Sequence, residues 1–249
     1  MKDIDSVVLV SGGTDSVVCL FEEAASGYKA GVLFLDYGQN PTEKETVTRI
    51  CKDYGFSMES LIVNLGGDRQ CDEMPARNAI FLTYALRQAI KNGATRVVAG
   101  FAPGPGLFYM DVSTDFKRTM SEVFALWGIA LHTPLLGTIT DKTDVFVRGL
   151  NVGAPLHLMI SCISDSGGSC GVCRKCLQVD TAFLELFGLS RERAEPELLA
   201  YLRSGDRAMA VSAFSRSHLR VSQPATLTPR GHDLNHYLKW AKKQFTTTV

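Results

Sequence analysis

The chain has 249 residues, 45% of them hydrophobic, enough for one sizeable α/β core with a small appendage. Its 26 Lys and Arg balance 26 Asp and Glu, which excludes a global field that draws in nucleic acid. Met1-Lys2-Asp3-Ile4-Asp5 is polar and acidic, and no apolar run reaches membrane-spanning length, so neither a signal peptide nor a membrane span is expected.

Val7-Val8-Leu9-Val10 is short and β-branched and predicts a buried parallel strand. Val17 to Ala25 predicts a helix that stops near Gly27. Between them stands Ser11-Gly12-Gly13-Thr14-Asp15-Ser16. A strand, a glycine turn and a helix N-terminus make an anion site, because the backbone can approach a phosphate with free N–H groups facing it. The hydroxyls of Ser11 and Ser16 add hydrogen bonds. Asp15 repels a bare phosphate, so its expected use is to hold a Mg²⁺ that bridges to one. No Gly-Lys-Ser/Thr follows, so the Walker pattern is absent. The stretch resembles the PP-loop of the ATP pyrophosphatases, SGGxDS, which cleave ATP between its α- and β-phosphates. By that resemblance, Val10 through Ser16 hold ATP. The competing reading is an ordinary strand-to-helix turn of small residues.

Residues 29–36 predict a second strand, ending in Asp36-Tyr37-Gly38-Gln39. Ligands of open α/β sheets bind at the carboxyl ends of strands, so Ser11 and Asp36 can share one. Glu43 to Tyr54 predicts an amphipathic helix with Val47, Ile50 and Cys51 on its buried face. Ser60 to Val63 predicts a third strand. A polar loop over 64–76 leads into the apolar helix that opens with Arg77-Asn78, capped by Asn78 or by that loop. Arg77, at a helix mouth, can meet phosphate or carboxylate, or pair with Asp72 or Glu73. Thr95 to Phe101 predicts a strand whose end points at the same crevice.

Pro103-Gly104-Pro105-Gly106 is a turn, followed by Tyr109, Asp111 and Asp115, then a helix to about Trp127. Acids and aromatics after a strand can read a flat ring; they can equally cap a helix and pack. Ile129 to Leu131 predicts a short strand. Thr140 or Asp141 is expected to cap a helix over 144–150. Lys142, in its first turn, opposes the helix dipole and suggests an anion to bind.

Four of the seven Cys fall at Cys162, Cys170, Cys173 and Cys176. Four thiolates in a glycine-rich knot predict a closed structural zinc site, with an iron–sulfur cluster or redox chemistry as competitors. An odd Cys count, crowded in this way, suits a reducing cytosol, so a cytoplasmic location is expected. Leu177 to Phe187 predicts a helix. Residues 1–190 carry 16 Lys and Arg against 21 Asp and Glu, a net −5, and residues 191–249 carry 10 against 5, a net +5. That basic extension, helical in pieces with a linker over 222–229, is expected to dock on the acidic body or meet a partner.

Together these features resemble the 7-cyano-7-deazaguanine synthase family, over about residues 5–188. The resemblance rests on the PP-loop, Asp36-Tyr37-Gly38-Gln39, Arg77-Asn78, Tyr109-x-Asp111-x₃-Asp115-Phe116, Thr133-Pro134-Leu135, Asp141-Lys142 and the Cys₄ knot. It implies a parallel-sheet, Rossmann-like α/β PP-loop domain (1–156), a zinc segment (157–190) and a helical extension (191–249). In that family ATP adenylates 7-carboxy-7-deazaguanine, ammonia displaces AMP to give the amide, and a second ATP drives dehydration to the nitrile. By resemblance, the cofactors are ATP, Mg²⁺ and Zn²⁺, and Asp36, Tyr37 and Gln39 border the adenosine. Ser11, Asp15, Ser16, Arg77 and Lys142 serve catalysis. Arg77, Asn78, Phe101, Tyr109, Asp111 and Asp115 are the candidates to read the deazaguanine. A homodimer is expected, with a possible protein partner or acceptor at the extension. The loop before Arg77 is shorter than the family pattern, and residues 191–249 are extra chain. Both border substrate access, which leaves open attachment of the deazaguanine to a protein or nucleic acid, as in antiviral defence. Other readings are tRNA thiolation, which needs a sulfur-carrying Cys such as Cys19, Cys51 or Cys71, and a nucleotide-sensing module without catalysis.

Overall fold

A computed structural model describes residue 1 and residues 3–65, 74–102, 110–138 and 142–160, with single positions 162, 175, 178, 179 and 182. Tyr109, Thr140, Asp141, Cys71, Cys170, Cys173, Cys176 and the whole 191–249 extension lie outside the described residues.

Five parallel strands form one sheet: β1 (Ser6–Leu9), β2 (Ala30–Asp36), β3 (Ser57–Ile62), β4 (Arg96–Ala99) and β5 (Ala130–His132). Their order is β3-β2-β1-β4-β5. The helices are α1 (Thr14–Ala25), α2 (Pro41–Tyr54), α3 (Arg77–Asn92), α4 (Thr114–Ala125) and α5 (Lys142–Asn151). The expected parallel α/β sheet is therefore present.

Strand alternation splits the core into two layers. Val8, Val32 and Phe34 face α1, α2 and α5, where Val18, Leu20, Ile50 and Phe146 are buried. Val7, Leu33 and Val97 face α3 and α4, where Leu82, Ala85, Ala89 and Phe124 are buried. Helices on both faces explain why β2 reads as an unbroken apolar run instead of alternating. Cys51 is buried in the first layer, as its place on the apolar face of α2 predicts.

β3 begins at Ser57, earlier than its apolar residues suggest. Among the described residues it lies at the sheet edge and pairs only with β2, so polar Ser57, Glu59 and Ser60 cost it little. Glu59 accepts from Lys91 of α3 at 3.0 Å.

The strand order reverses at β1, which has β2 on one side and β4 on the other. Such a switch point opens a crevice at the carboxyl ends of the strands. Residues 10–13 leave β1 at that point.

Candidate nucleotide and acceptor site

The loop after β1 is closed by its own side chains. The Ser11 amide donates to Ser16 Oγ at 3.1 Å, and Ser16 Oγ donates to the Gly13 carbonyl at 3.0 Å. The two hydroxyls, Ser11 Oγ and Ser16 Oγ, lie 3.3 Å apart. Two serines five residues apart thus hold the loop in one shape and keep the start of α1 in register with it.

Two glycines make the shape possible. Gly12 has φ +85°, and a Cβ there would stand 3.1 Å from the Glu43 carbonyl oxygen. Gly100, just past β4, is a tighter case. A Cβ on it would stand 2.9 Å from the Asp15 carbonyl and from the Ser16 amide nitrogen. The first turn of α1 therefore packs its backbone directly on the end of β4. Nothing local to Gly100 in the sequence announces this, because its neighbour is 85 positions away in the chain (Asp15 to Gly100).

Asp15 sits in that first turn. Lys142, the first residue of α5, donates to both of its carboxylate oxygens, at 2.6 and 2.8 Å. The sequence reading gave these two residues separate tasks; the structure brings them together. The pair also tests the fit of a divalent cation. The Asp15 carboxylate already turns both oxygens on one cationic group, at the helix N-terminus where phosphates bind, and hard oxygen donors suit Mg²⁺.

Ile160 ties the far end of the described chain to this loop, its amide donating to the Gly12 carbonyl at 3.0 Å. Cys162 follows two residues later and is buried. The cysteine segment therefore starts at the nucleotide loop. Its other three ligand candidates lie outside the described residues, and among the described residues no group of three or more His, Cys, Asp or Glu assembles.

On the β2 side, the Asp36–Gln39 turn is fixed by its own amides. Gln39 Oε1 accepts from the Tyr37 amide and its Nε2 donates to the Leu35 carbonyl, both at 2.8 Å. Asp36 pairs with Lys44 at 3.1 Å and accepts from the Gly38 amide. Asn40 caps α2 through the Thr42 amide at 3.0 Å.

Arg77 opens α3 above this turn. Its guanidinium carbon lies 6.0 Å from the Tyr37 ring centroid and 5.9 Å from that of Phe81. Burial pushes the Tyr37 phenol up, and Arg77 beside it opposes that shift. The ring platform orients Arg77 over the crevice.

The cap of α3 corrects the sequence reading. Ala76 takes the cap position in a left-handed conformation and supplies no side-chain acceptor. The acceptor comes from the short segment before α4 instead: Asp111 Oδ2 accepts from the Asn78 amide at 3.0 Å, and the Asn78 side chain donates to the Asp111 carbonyl at 3.2 Å. Asp111 thus places Arg77 and Asn78. Ser113 caps α4 through the Phe116 amide at 3.1 Å. Phe101 packs toward Phe116, ring centroids 6.4 Å apart. Asp115 is 90% exposed and meets Arg118 at 3.5 Å on the same helix.

Sequence reasoning missed Glu43, in the first turn of α2. Burial pushes its carboxyl up to about 7, despite Lys175 and Arg77 nearby and a hydrogen bond from Gln39. The signal available was its place four residues past Gln39, in a first helical turn facing the loop.

A family model, the queuosine biosynthesis protein QueC, matches residues 5–70 and 66–187. The chain belongs to the QueC family. It is an enzyme of the ATP-dependent ligase kind. It is 29% identical over 215 residues to a 7-cyano-7-deazaguanine synthase of Trichodesmium erythraeum, covering 73% of this chain and 96% of that one. It is 30% identical over 204 residues to the same-named protein of Rickettsia bellii, covering 69% and 89%. Among solved structures, the NMN synthetase of Francisella tularensis is similar at a TM-score of 0.45 and 17% identity, covering 90% of this chain and 87% of that one. No helix among the described residues is long and apolar enough to cross a membrane.

Proposed function

We propose that this QueC-family enzyme adenylates the carboxylate of 7-carboxy-7-deazaguanine and passes the acyl group to ammonia, giving the amide and, with a second ATP, the nitrile. The observation that carries the reading is the self-closed Ser11–Ser16 loop at the sheet's switch point, with Asp15 and Lys142 paired at its lip.

A carboxylate is a poor electrophile, and conversion to an acyl-AMP supplies the leaving group. In this reading the loop amides and the Ser11 and Ser16 hydroxyls cradle the leaving pyrophosphate. Asp15 would hold Mg²⁺, which would supply charge neutralisation there. Lys142 then turns its ammonium to the phosphate oxygens, and Asp36 to Gln39 border the adenosine. Arg77, backed by Tyr37 and Phe81, takes the substrate carboxylate as a planar fork. Asp111 acts through α3, as the residue that positions Arg77 and Asn78. Cys162, Cys170, Cys173 and Cys176 are the residues that would hold a zinc ion, and its role there would be structural, to pin the chain that follows Ile160.

The thiolation reading loses two of its three thiols. Cys19 and Cys51 are buried, and burial pushes Cys51 up to about 11 and Cys19 upward as well. Neither presents a thiolate.

A second acceptor has one observation in its favour. The family match ends at residue 187, and the basic residues 191–249 lie beyond it. An amine on a protein brought there attacks the same acyl-AMP as ammonia does.

The test is to incubate the protein with 7-carboxy-7-deazaguanine, ATP, Mg²⁺ and ammonium and to follow nucleotide products and substrate mass. AMP and a mass change to amide or nitrile are expected; ADP in place of AMP overturns the reading. Asp15→Ala should lower AMP release by about 10²–10³-fold while the protein stays folded.

A further inference from the structure

Glu43 has no task in the nucleotide reading, yet four elements converge on it. It lies in the first turn of α2, with its carbonyl against Gly12 of the loop. Gln39, from the turn after β2, hydrogen-bonds its carboxylate. Arg77 faces it from α3, with Tyr37 on the other side of the guanidinium. Lys175, an exposed residue of the later chain, acts on it as a nearby cation. The acid therefore stands between the phosphate loop and the arginine that takes the substrate carboxylate.

Among the described residues, two other carboxylates beside the loop already hold cationic partners. Asp15 is held by Lys142 through both oxygens, and Asp36 by Lys44 and the Gly38 amide. Lys142 and Arg77 are cations and cannot take a proton. Attack on an acyl adenylate needs such an acceptor. As the C–N bond forms, the ammonia nitrogen becomes cationic and must shed a proton for the amide to persist.

We propose that Glu43 is the proton acceptor for the amine that attacks the acyl adenylate. The role rests on the ligase reading given above. The nitrogen lone pair forms the C–N bond, the bond between acyl carbon and α-phosphate oxygen breaks, and AMP leaves with that electron pair. One N–H proton passes to a Glu43 carboxylate oxygen, and solvent removes it before the next cycle. A carboxyl that titrates near neutrality, as burial makes this one, takes and returns a proton efficiently at working pH. Gln39 holds the carboxylate in place, and Arg77 and Lys175 keep it from rising further.

The test separates the two half-reactions in Glu43→Gln. ATP–pyrophosphate exchange driven by 7-carboxy-7-deazaguanine reports adenylation alone and should stay close to wild type. Amide formation should fall by about 10²–10⁴-fold, with Glu43→Asp recovering part of it. With hydroxylamine as nucleophile, and rates expressed per neutral hydroxylamine, the wild-type rate should rise through about pH 7 and the Glu43→Gln rate should be flat. Equal loss of both half-reactions makes Glu43 a structural residue and overturns the role, as does undiminished amide formation. Absence of exchange in the wild type overturns the ligase reading, and this role with it.

Discussion

In the loop after β1, the side-chain hydrogen bonds that fix the shape join residues two to five positions apart, Ser11 with Gly13 and Ser16, and Ser16 with Gly13, with one backbone bond from distant Ile160 to Gly12. Outside that loop, the contact that fixes the mouth of α3 joins Asn78 to Asp111, 33 positions apart. The first half of the site is a short peptide that folds on itself once a strand and a helix flank it. The second half exists only after β4 and the segment behind it have been laid beside α3. In the proposed function, local assembly would give a cradle for the ligand part that is the same in every ATP reaction. Long-range assembly lets the acceptor side change by altering one loop, without disturbing the cradle.

The loop meets the rest of the molecule at two long-range seams, and the largest expected structural effect falls on one of them. Gly100 lets the end of β4 touch the backbone of Asp15 and Ser16. In Gly100→Ala the clash is with main chain, which no rotamer change relieves. We expect a loss of about 1–3 kcal/mol in stability by urea denaturation, from overpacking. ATP affinity should weaken as well, because the first turn of α1 carries Asp15 and Ser16. Full stability with unchanged ATP binding would mean that the seam is looser than its geometry, and the cradle would then be independent of β4.

The second seam is Lys142 on Asp15, joining residues 127 apart. It explains how much of the site was legible beforehand. Ser11 to Ser16 could be read because its motif and its side-chain hydrogen bonds lie within six residues. Lys142 could be suspected, as a cation where a helix dipole disfavours one, but its partner could not be named. Gly100 and the capping role of Asp111 carry no local signal, since each depends on which strand neighbours which. Glu43 looked like an ordinary first-turn acid, which helix N-termini favour anyway. Only its half-buried place beside Gly12, Gln39 and Arg77 distinguishes it. The sheet was easier: both faces of β1 and β2 are covered, so their apolar runs stood out, whereas the polar edge strand β3 was placed three residues late.

A smaller effect is expected on the acceptor side. If Asp111 acts by capping α3, Asp111→Ala should cost about 0.5–2 kcal/mol, the usual range for losing such an acceptor. Asp111→Asn keeps an acceptor oxygen toward the Asn78 amide and should cost only a few tenths of that. The KM for 7-carboxy-7-deazaguanine should then follow stability, changing in the Ala variant and little in the Asn variant. A KM raised equally in both would show that the charge itself reads the deazaguanine ring, and the acceptor half would contain a direct contact that its geometry assigns to architecture.

The smallest effect concerns Asp115, which by resemblance joins Asp111 in reading the ring. Its side chain is 90% exposed, and its partner Arg118, at 3.5 Å on the same helix, is 68% exposed. An exposed pair one turn apart is screened by water and contributes at most a few tenths of a kcal/mol. Its first-turn position on α4 adds a similar amount through the helix dipole. Ser113, not Asp115, caps that helix. Asp115→Ala should therefore leave stability within about 0.5 kcal/mol of wild type, and the KM for the deazaguanine unchanged. The measurement that matters is KM at low and high salt. A specific ring contact would survive salt, whereas a surface charge that merely steers the anion would show a small, salt-sensitive change of opposite sign, because removing an acid near the entrance eases the approach of a carboxylate. A several-fold, salt-independent rise in KM would move Asp115 back into the site. It would also require the segment before α4 to turn this side chain inward when substrate binds.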